Sequence, residues 1–249
     1  MDIDRILNFS TTAGKIMLQS GGEIYRVEET IFKICKSFSI EEVDVFASTT
    51  SIVVTAIDKG KIHTIVKRIT SRGVNLNKVH KINSLSRKIY NEKLPIEACE
   101  KELKDIDVDD SYSLKKKLFY AGISTSTFTI LFGGNASDFV AAFFIGIIVQ
   151  FISETLCRTY LNPFFRNGLC GAAVALFSII FLKAGFIKGI DKLIAGTIML
   201  LVPGLSLTNS IRDILEGQLV AGLTNAAEAL FVGVSTAVGT FLVIQLLMM

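Results

Sequence analysis

Hydrophobic positions follow two different patterns along the chain, and the change falls at Lys115-Lys116-Lys117. The first 117 residues carry 20 Lys/Arg and 17 Asp/Glu, with apolar residues recurring at helix or strand spacing. The remaining 132 residues carry six of each charge and consist mainly of long apolar runs. Such a change predicts a soluble domain followed by a membrane domain. We therefore expect an α/β domain at 1–114 and a transmembrane domain at 115–249.

The polar part has the periodicities of a small mixed α/β domain. Amphipathic patterns predict helices and two Val/Ile/Thr-rich runs predict strands. The turn signal Asp58-Lys59-Gly60 between those runs predicts a β-hairpin. The helices are expected at 3–20, 23–37 and about 76–91, with a short one from Pro95, and the strands at 43–57 and 61–69.

The apolar part contains five candidate spans, which predict an α-helical integral membrane protein of about five transmembrane helices. A spanning helix needs ~20 residues, so the first candidate is short and the fourth is long. Glycines recur inside the runs, and small residues allow membrane helices to approach closely. The candidate spans are 118–133, 138–157, 164–183, 186–211 and 218–247.

The charges between the spans predict the orientation. The start of the chain lacks a cationic segment followed by an apolar one, so we expect no cleavable signal peptide. The positive-inside rule favours a cytosolic N-terminal domain, because this orientation places Lys115–Lys117, Arg158, Arg166 and Arg212 on the inside. The lysines of 183–192 would then lie outside, which opposes this orientation. The expected location is the cell membrane (inner or plasma membrane), crossed several times and in contact with membrane lipid.

Composition argues against several other classes of protein. The net charge is only +3 and the cations are interspersed with anions, which is not the basic stripe of a nucleic-acid-binding protein. The four cysteines are far apart, so free thiols are expected rather than a zinc site or disulfides. The sequence has no nucleophile–base pattern or phosphate loop. We expect no cofactor, no metal and no enzymatic activity.

The fourth span has polar residues beside a helix break. Pro203 removes a backbone donor and Gly204 loosens the helix, which frees backbone groups at membrane depth, a common way to build a solute site. Among the polar residues that follow, Asn209, Arg212 and Asp213 are spaced so that they can share one helical face. The alternative, a loop at the water interface, has equal weight. The candidate pathway residues here are Pro203, Gly204, Thr208, Asn209, Arg212 and Asp213.

Two further acids complete the candidate pathway. Glu228 lies among alanines, where a carboxylate in lipid is costly unless it is paired, protonated or facing water. Its alternative position is near the headgroups, if the fifth span starts late. Asp138 and Glu154 bracket the second span, where an interfacial position is the stronger interpretation. Asp138 can also cap that helix.

The soluble part has one compact polar motif just after Gly21. Its members are spaced so that the arginine can pair with acids on the same helix face. A solvated helix face is the simpler explanation, and the active site of a membrane-bound enzyme is an alternative. The motif consists of Gly22, Glu23, Tyr25, Arg26 and Glu28.

In order and spacing, these motifs resemble the threonine/serine exporter family, over nearly the whole chain. The resemblance rests on residues 22–28, on Phe132-Gly133-Gly134 with Asp138, on the 203–213 segment, and on Glu228-Ala229. It implies secondary export of small polar metabolites driven by an ion gradient. Family members handle threonine and serine, and two-subunit relatives are linked to succinate.

The resemblance also implies partners and residue roles. The match is to the N-terminal half of the fused exporters, which implies a second small membrane subunit or a homo-oligomer. In this interpretation Arg212 attracts a small carboxylate substrate, and Asp213 or Glu228 binds a proton or an amino group. A membrane scaffold and an enzyme with its activity in the N-terminal domain are the alternatives.

Overall fold

The computed structural model describes residues 2–108, 112–159 and 161–248. These residues form two compact units. The first unit contains the N-terminal residues up to 108 together with Leu205–Ala226. The second contains 112–204 and the residues from Ala227 onward. The division at residue 115 between a cytosolic and a membrane domain remains a prediction, and the sequence did not indicate that 205–226 would cluster with the N-terminal residues.

The N-terminal part of the first unit has the predicted helices and hairpin, but the predicted single strand 43–57 is wrong, because it forms two antiparallel strands, Glu42–Ala47 and Ser51–Asp58. Asp58 pairs with Lys61 across a two-residue turn in which Lys59 and Gly60 have φ values of 49° and 77°. Positive φ at both positions is what a tight hairpin turn requires. The elements are α1 (Ile3–Gln19), α2 (Ile24–Ser37), β1 (Glu42–Ala47), β2 (Ser51–Asp58), β3 (Lys61–Arg68), α3 (Leu76–Glu92) and α4 (Ile96–Asp107).

The core of this unit lies between the helices and one face of the sheet. The described strands form an antiparallel sheet in the order β1-β2-β3. Ile52, Val54 and Ala56 alternate along β2 and are fully buried. They belong to the same core cluster as Ile31 of α2 and Met17 of α1. Period 2 in the strands and period 3.6 in the helices therefore direct the same residues inward, as the sequence predicted.

The second unit consists of helices. They are α5 (Leu114–Leu131), α6 (Ala136–Cys157), α7 (Pro163–Lys183) and α8 (Asp191–Ile198), joined by the part of α10 (Leu219–Met248) that follows Ala226. Within the described residues, α6, α7 and α10 are long and apolar enough to cross a membrane. They match the second, third and fifth predicted spans. The first predicted span forms α5, which begins with three lysines, so the prediction of five spans is confirmed only in part.

The predicted fourth span, 186–211, is wrong as a single helix. The chain leaves helical geometry after α8 and resumes it in α9 (Gly204–Leu215), and all of α9 except Gly204 belongs to the first unit. Pro203 stands in this interruption, where its missing N–H and fixed φ oppose a continuous helix. The break itself was therefore predicted, but the surroundings of the helix after it were not.

Small residues bring the helices of the second unit into close contact. A Cβ at Gly146 of α6 would lie 2.9 Å from the carbonyl oxygen of Ala121 on α5 and closer still to the hydroxyl of Thr125. The Thr125 hydroxyl also donates to the carbonyl oxygen of Ala142, 2.8 Å away. Van der Waals contact and interhelical hydrogen bonds are the forces that hold helices together in lipid.

Gly146→Ala is expected to destabilise the packing of α5 on α6. The added methyl group cannot fit beside the Ala121 carbonyl without a backbone shift, and overpacking costs about 1–3 kcal/mol. The measurement is the midpoint of thermal unfolding in detergent. Gly233→Ala on α10 is the matched control, because a Cβ there meets nothing within 4 Å. Equal midpoints for the two variants would contradict the packing argument.

Candidate functional site

The start of α2 lacks a cap from its own sequence. Gly21 has φ = 89° and turns the chain after α1, and Glu23 occupies the N-cap position. The Glu23 side chain makes no capping hydrogen bond with the helix, as far as the described residues show. The first N–H groups of a helix need an acceptor, because no intrahelical carbonyl is available to them.

Asp213 of α9 supplies that acceptor from 189 residues away in the chain. Its Oδ1 accepts a hydrogen bond from the backbone N–H of Ile24 at 3.0 Å, and the backbone amide of Tyr25 lies close enough to lower the pKa of this carboxylate. Only 1% of Asp213 is exposed. A carboxylate at this position is stabilised by the N–H groups and by the positive end of the helix dipole. Asp213 therefore fixes α9 against the start of α2.

Two neighbours of Asp213 on α9 strengthen the same contact. Asn209 Nδ2 donates to the carbonyl oxygen of Gly21 at 2.9 Å. Arg212 forms a hydrogen-bonded ion pair with Oε1 of Glu23. Asn209, Arg212 and Asp213 thus share one face of α9, the arrangement that their spacing suggested. The face contacts the N-terminal polar motif and lies in the first unit.

Glu23 joins the two arginines of the cluster. Its side chain is 8% exposed, and its second oxygen lies 3.3 Å from Nε of Arg26. The Arg212 side chain is 45% exposed. The carboxylate is therefore buried between two arginines whose side chains are both partly exposed.

Glu28 makes a second connection to the segment that follows α9. One oxygen accepts a hydrogen bond from the backbone N–H of Ala47 at 2.8 Å, and the other accepts one from Nε2 of Gln218 at 2.6 Å. Sequence reasoning missed Gln218 and the end of β1, because neither has a local signal for contact with α2. A covariation signal between positions 28 and 218 could have found them.

Burial determines the electrostatics of the two carboxylates. It raises the pKa of Asp213 above the ordinary 3.8, although the Ile24 amide opposes the shift, and the charge of Glu23 raises it further. Burial also raises the pKa of Glu28, against the opposing effect of the Ala47 amide, and the Asp213 charge adds to the increase. The cluster therefore favours uptake of a proton.

One oxygen of Asp213 is left without a hydrogen bond. Oδ2 is buried and accepts none of normal geometry within the part of the chain that the structure describes. The side chain of Asn225 approaches the carboxylate and lowers its pKa slightly. An unpaired, desolvated carboxylate oxygen is costly when ionised, and this is where a proton would bind.

The other predicted residues have different surroundings. Asp138 lies in the second unit, where it and Asn135 form a capping box at the start of α6; its Oδ2 accepts from the Asn135 amide at 2.9 Å. Capping was the alternative to a pathway role. Glu228 is also in the second unit, near the start of its part of α10, and is exposed. Thr208 of α9 is exposed, and Tyr25 is half-buried beside Arg26.

The side chains of this cluster are better suited to bind protons and carboxylates than metal ions. Among the described residues, no three His, Cys, Asp or Glu side chains are grouped so that they could hold a metal ion. Apart from Oδ2 of Asp213, the carboxylate oxygens of the cluster are instead paired with arginines, a side-chain amide and backbone N–H groups. The arrangement contains a guanidinium that can bind a carboxylate, at Arg212, and two carboxyl groups that can bind a proton, at Asp213 and Glu28.

The pKa of Asp213 leads to a pair of stability predictions for the full chain. Asp213→Ala removes the cap and is expected to cost about 1–2 kcal/mol, with faster hydrogen exchange in the first turn of α2. Asp213→Asn keeps an acceptor oxygen and removes the buried charge. Its exchange at neutral pH is expected to be no faster than in the wild type.

The pH dependence separates these variants. A raised pKa means that the folded state binds the proton more tightly than the unfolded state. The Asp213 contribution to stability is therefore greatest below about pH 4 and decreases as the pH rises through the raised pKa. The Asn variant loses this slope. The pH dependence of stability is measured as hydrogen exchange of α2 across the mildly acidic range, in the wild type and in the Asn variant. Identical pH dependence in the two proteins would refute the raised pKa of Asp213.

Comparison with known proteins agrees with the order of the motifs. Residues 8–247 match the family described as "Putative threonine/serine exporter". The chain is 24% identical to "Probable succinate transporter subunit YjjP" of Escherichia coli (strain K12), over 94% of this chain and 91% of that protein. No solved structure matches.

Two longer relatives match over about half of their length. The chain is 22% identical to "Probable threonine/serine exporter" of Mycobacterium tuberculosis, over 94% of this chain and 45% of that protein. It is 23% identical to "Threonine/serine exporter" of Corynebacterium glutamicum, over 97% of this chain and 51% of that protein. With a match over nearly all of its residues, the chain belongs to the threonine/serine exporter family.

Proposed function

We propose that the protein is a subunit of a secondary exporter of small carboxylate-bearing metabolites, of the threonine and serine type. The family is one of exporters, not of enzymes. The observation that carries the proposal is the cluster in which α9 and α2 share buried acids and a partly exposed arginine. Such a cluster can bind both a carboxylate and a proton.

Arg212 is the proposed carboxylate-binding group. Its guanidinium is held by Glu23, and nearly half of the side chain is exposed. An incoming carboxylate of the same geometry can replace Glu23 at the exposed side of the guanidinium, because both make the same charge-assisted hydrogen bonds. Glu23 retains Arg26 as a partner during that exchange, so its charge stays compensated.

Asp213 and Glu28 are the proposed proton-binding groups. Protonation of Asp213 removes the charge that interacts with the α2 dipole, and protonation of either acid reduces the repulsion between them. Both changes alter the contact of α9 with α2. A proton gradient can therefore bias this contact and supply the ion coupling that we propose. Asp138, Thr208 and Glu228 remain proposed pathway residues.

A dicarboxylate such as succinate is the second candidate substrate. It is favoured by the Escherichia coli relative, which is named as a succinate transporter subunit and is matched along 91% of its length. The word "subunit" in that name also supports the proposal of a second membrane subunit. A homo-oligomer is the alternative. The proposed location is the cell membrane, with the N-terminal domain in the cytosol.

Counterflow in vesicles tests the transport proposal. Arg212→Ala and Glu228→Gln are expected to lower exchange of labelled threonine, serine or succinate by at least about tenfold, because each removes a proposed solute or proton contact. Arg87→Ala, an exposed arginine on α3, is the control. If both site variants insert normally and transport at the wild-type rate, the proposal is wrong.

Co-expression tests the proposed partner. The neighbouring reading frame is searched for a short all-membrane protein, and counterflow is measured with and without it. We expect exchange only when both chains are present. Full activity of this chain alone would instead favour the homo-oligomer.

A further inference from the structure

Arg166 lies on the interior face of a membrane-type helix. It is the fourth residue of α7, and Cys170 and Val174 follow it at intervals of four. Both are fully buried in the core of the second unit. Leu169, Leu176 and Ile180 are exposed on the other side of the helix. The side chain of Arg166 therefore starts from the face that packs against protein and not from the face available to lipid.

One nitrogen of the half-buried Arg166 guanidinium has no acceptor. Its Nε is buried and makes no hydrogen bond, and no carboxylate of the described residues forms an ion pair with the group. A buried charge in a membrane helix is costly unless an opposite charge or water compensates it. The arginine therefore needs an anion that the described protein does not provide.

The polar groups next to Arg166 leave an excess of positive charge. Ser153 of α6 lies close to the thiol of Cys170, which is one helical turn from Arg166. The adjacent acid, Glu154, is already bound by Lys117 at 3.0 Å and by Gln150 at 3.1 Å. With Lys117 and Glu154 compensating each other, Arg166 supplies the remaining charge. The start of α7 adds the positive end of a helix dipole.

We propose that Arg166 binds the carboxylate of the transported solute on the α6–α7 side of the second unit. A guanidinium can bind a carboxylate through two parallel hydrogen bonds, and Ser153 is a neutral donor nearby. The interior position admits a small anion more readily than a lipid headgroup. This inference rests on the proposed function, and it places a solute contact in the helical unit, separate from Arg212.

Equilibrium binding to the purified full chain tests the inference. The probes are radiolabelled succinate, L-threonine and L-serine, with the protein in nanodiscs of phosphatidylcholine. Arg166→Gln is expected to raise the Kd of the solute that the wild type binds by at least about tenfold, since it removes a charge-assisted pair. Arg166→Lys keeps the charge but loses the bidentate geometry, so it should recover part of the affinity.

Arg158→Gln is the matched control. Arg158 lies at the end of α6 and is exposed, so its removal changes the net charge equally without touching the interior face. Its Kd should equal that of the wild type. Monodispersity and the thermal midpoint of each variant identify misfolding. Arg166→Lys also compares solute affinity with that of the wild type without a change in net charge.

Each remaining outcome is decisive. If the wild type binds a solute and Arg166→Gln binds it equally well, the Arg166 site is wrong while the exporter proposal stands. If the wild type binds none of the three solutes, the Arg166 site in this chain is wrong, and counterflow with both chains decides the exporter proposal separately. If Arg166→Gln changes only the binding of anionic lipid, measured in discs that contain phosphatidylglycerol, the occupant is a lipid phosphate and the carboxylate site is refuted.

Discussion

The first unit depends on a buried carboxylate at the start of α2. Asp213 accepts a hydrogen bond from the uncapped backbone N–H of Ile24, and in return this N–H and the helix dipole compensate for part of its lost hydration. Neither the start of α2 nor Asp213 has its hydrogen-bond partner within its own helix. The contact therefore specifies where α9 binds, because the buried residues of α9, Ser210 and Asp213, are both polar.

The same contact is sensitive to charge because its members are coupled. Glu23 is shared by two arginines, and Asp213 raises the pKa of Glu28. Buried ion pairs contribute little net stability, since desolvation offsets most of the attraction. A cluster of this kind is better suited to respond to protons or anions than to hold a fold together. This property links the structure of the first unit to the transport that we propose.

The second unit is held together by different forces. Glycines at helix contacts allow backbones to approach, and threonine or serine hydroxyls bond to carbonyl oxygens of neighbouring helices. These contacts carry no net charge and do not change with pH. Arg166 departs from this pattern, because it places an uncompensated charge on the interior face.

The sequence alone determined the elements whose signals are local. The hairpin at Asp58–Lys61, the amphipathic faces of α1 and α2, the apolar lengths of α6, α7 and α10, and the break at Pro203 all follow from neighbouring residues. Only the tertiary structure decided that α9 belongs to the first unit and that Asp213 caps α2. An apolar helix face looks the same in sequence whether it packs against lipid or protein, and a hydrogen bond across 189 residues leaves no local pattern.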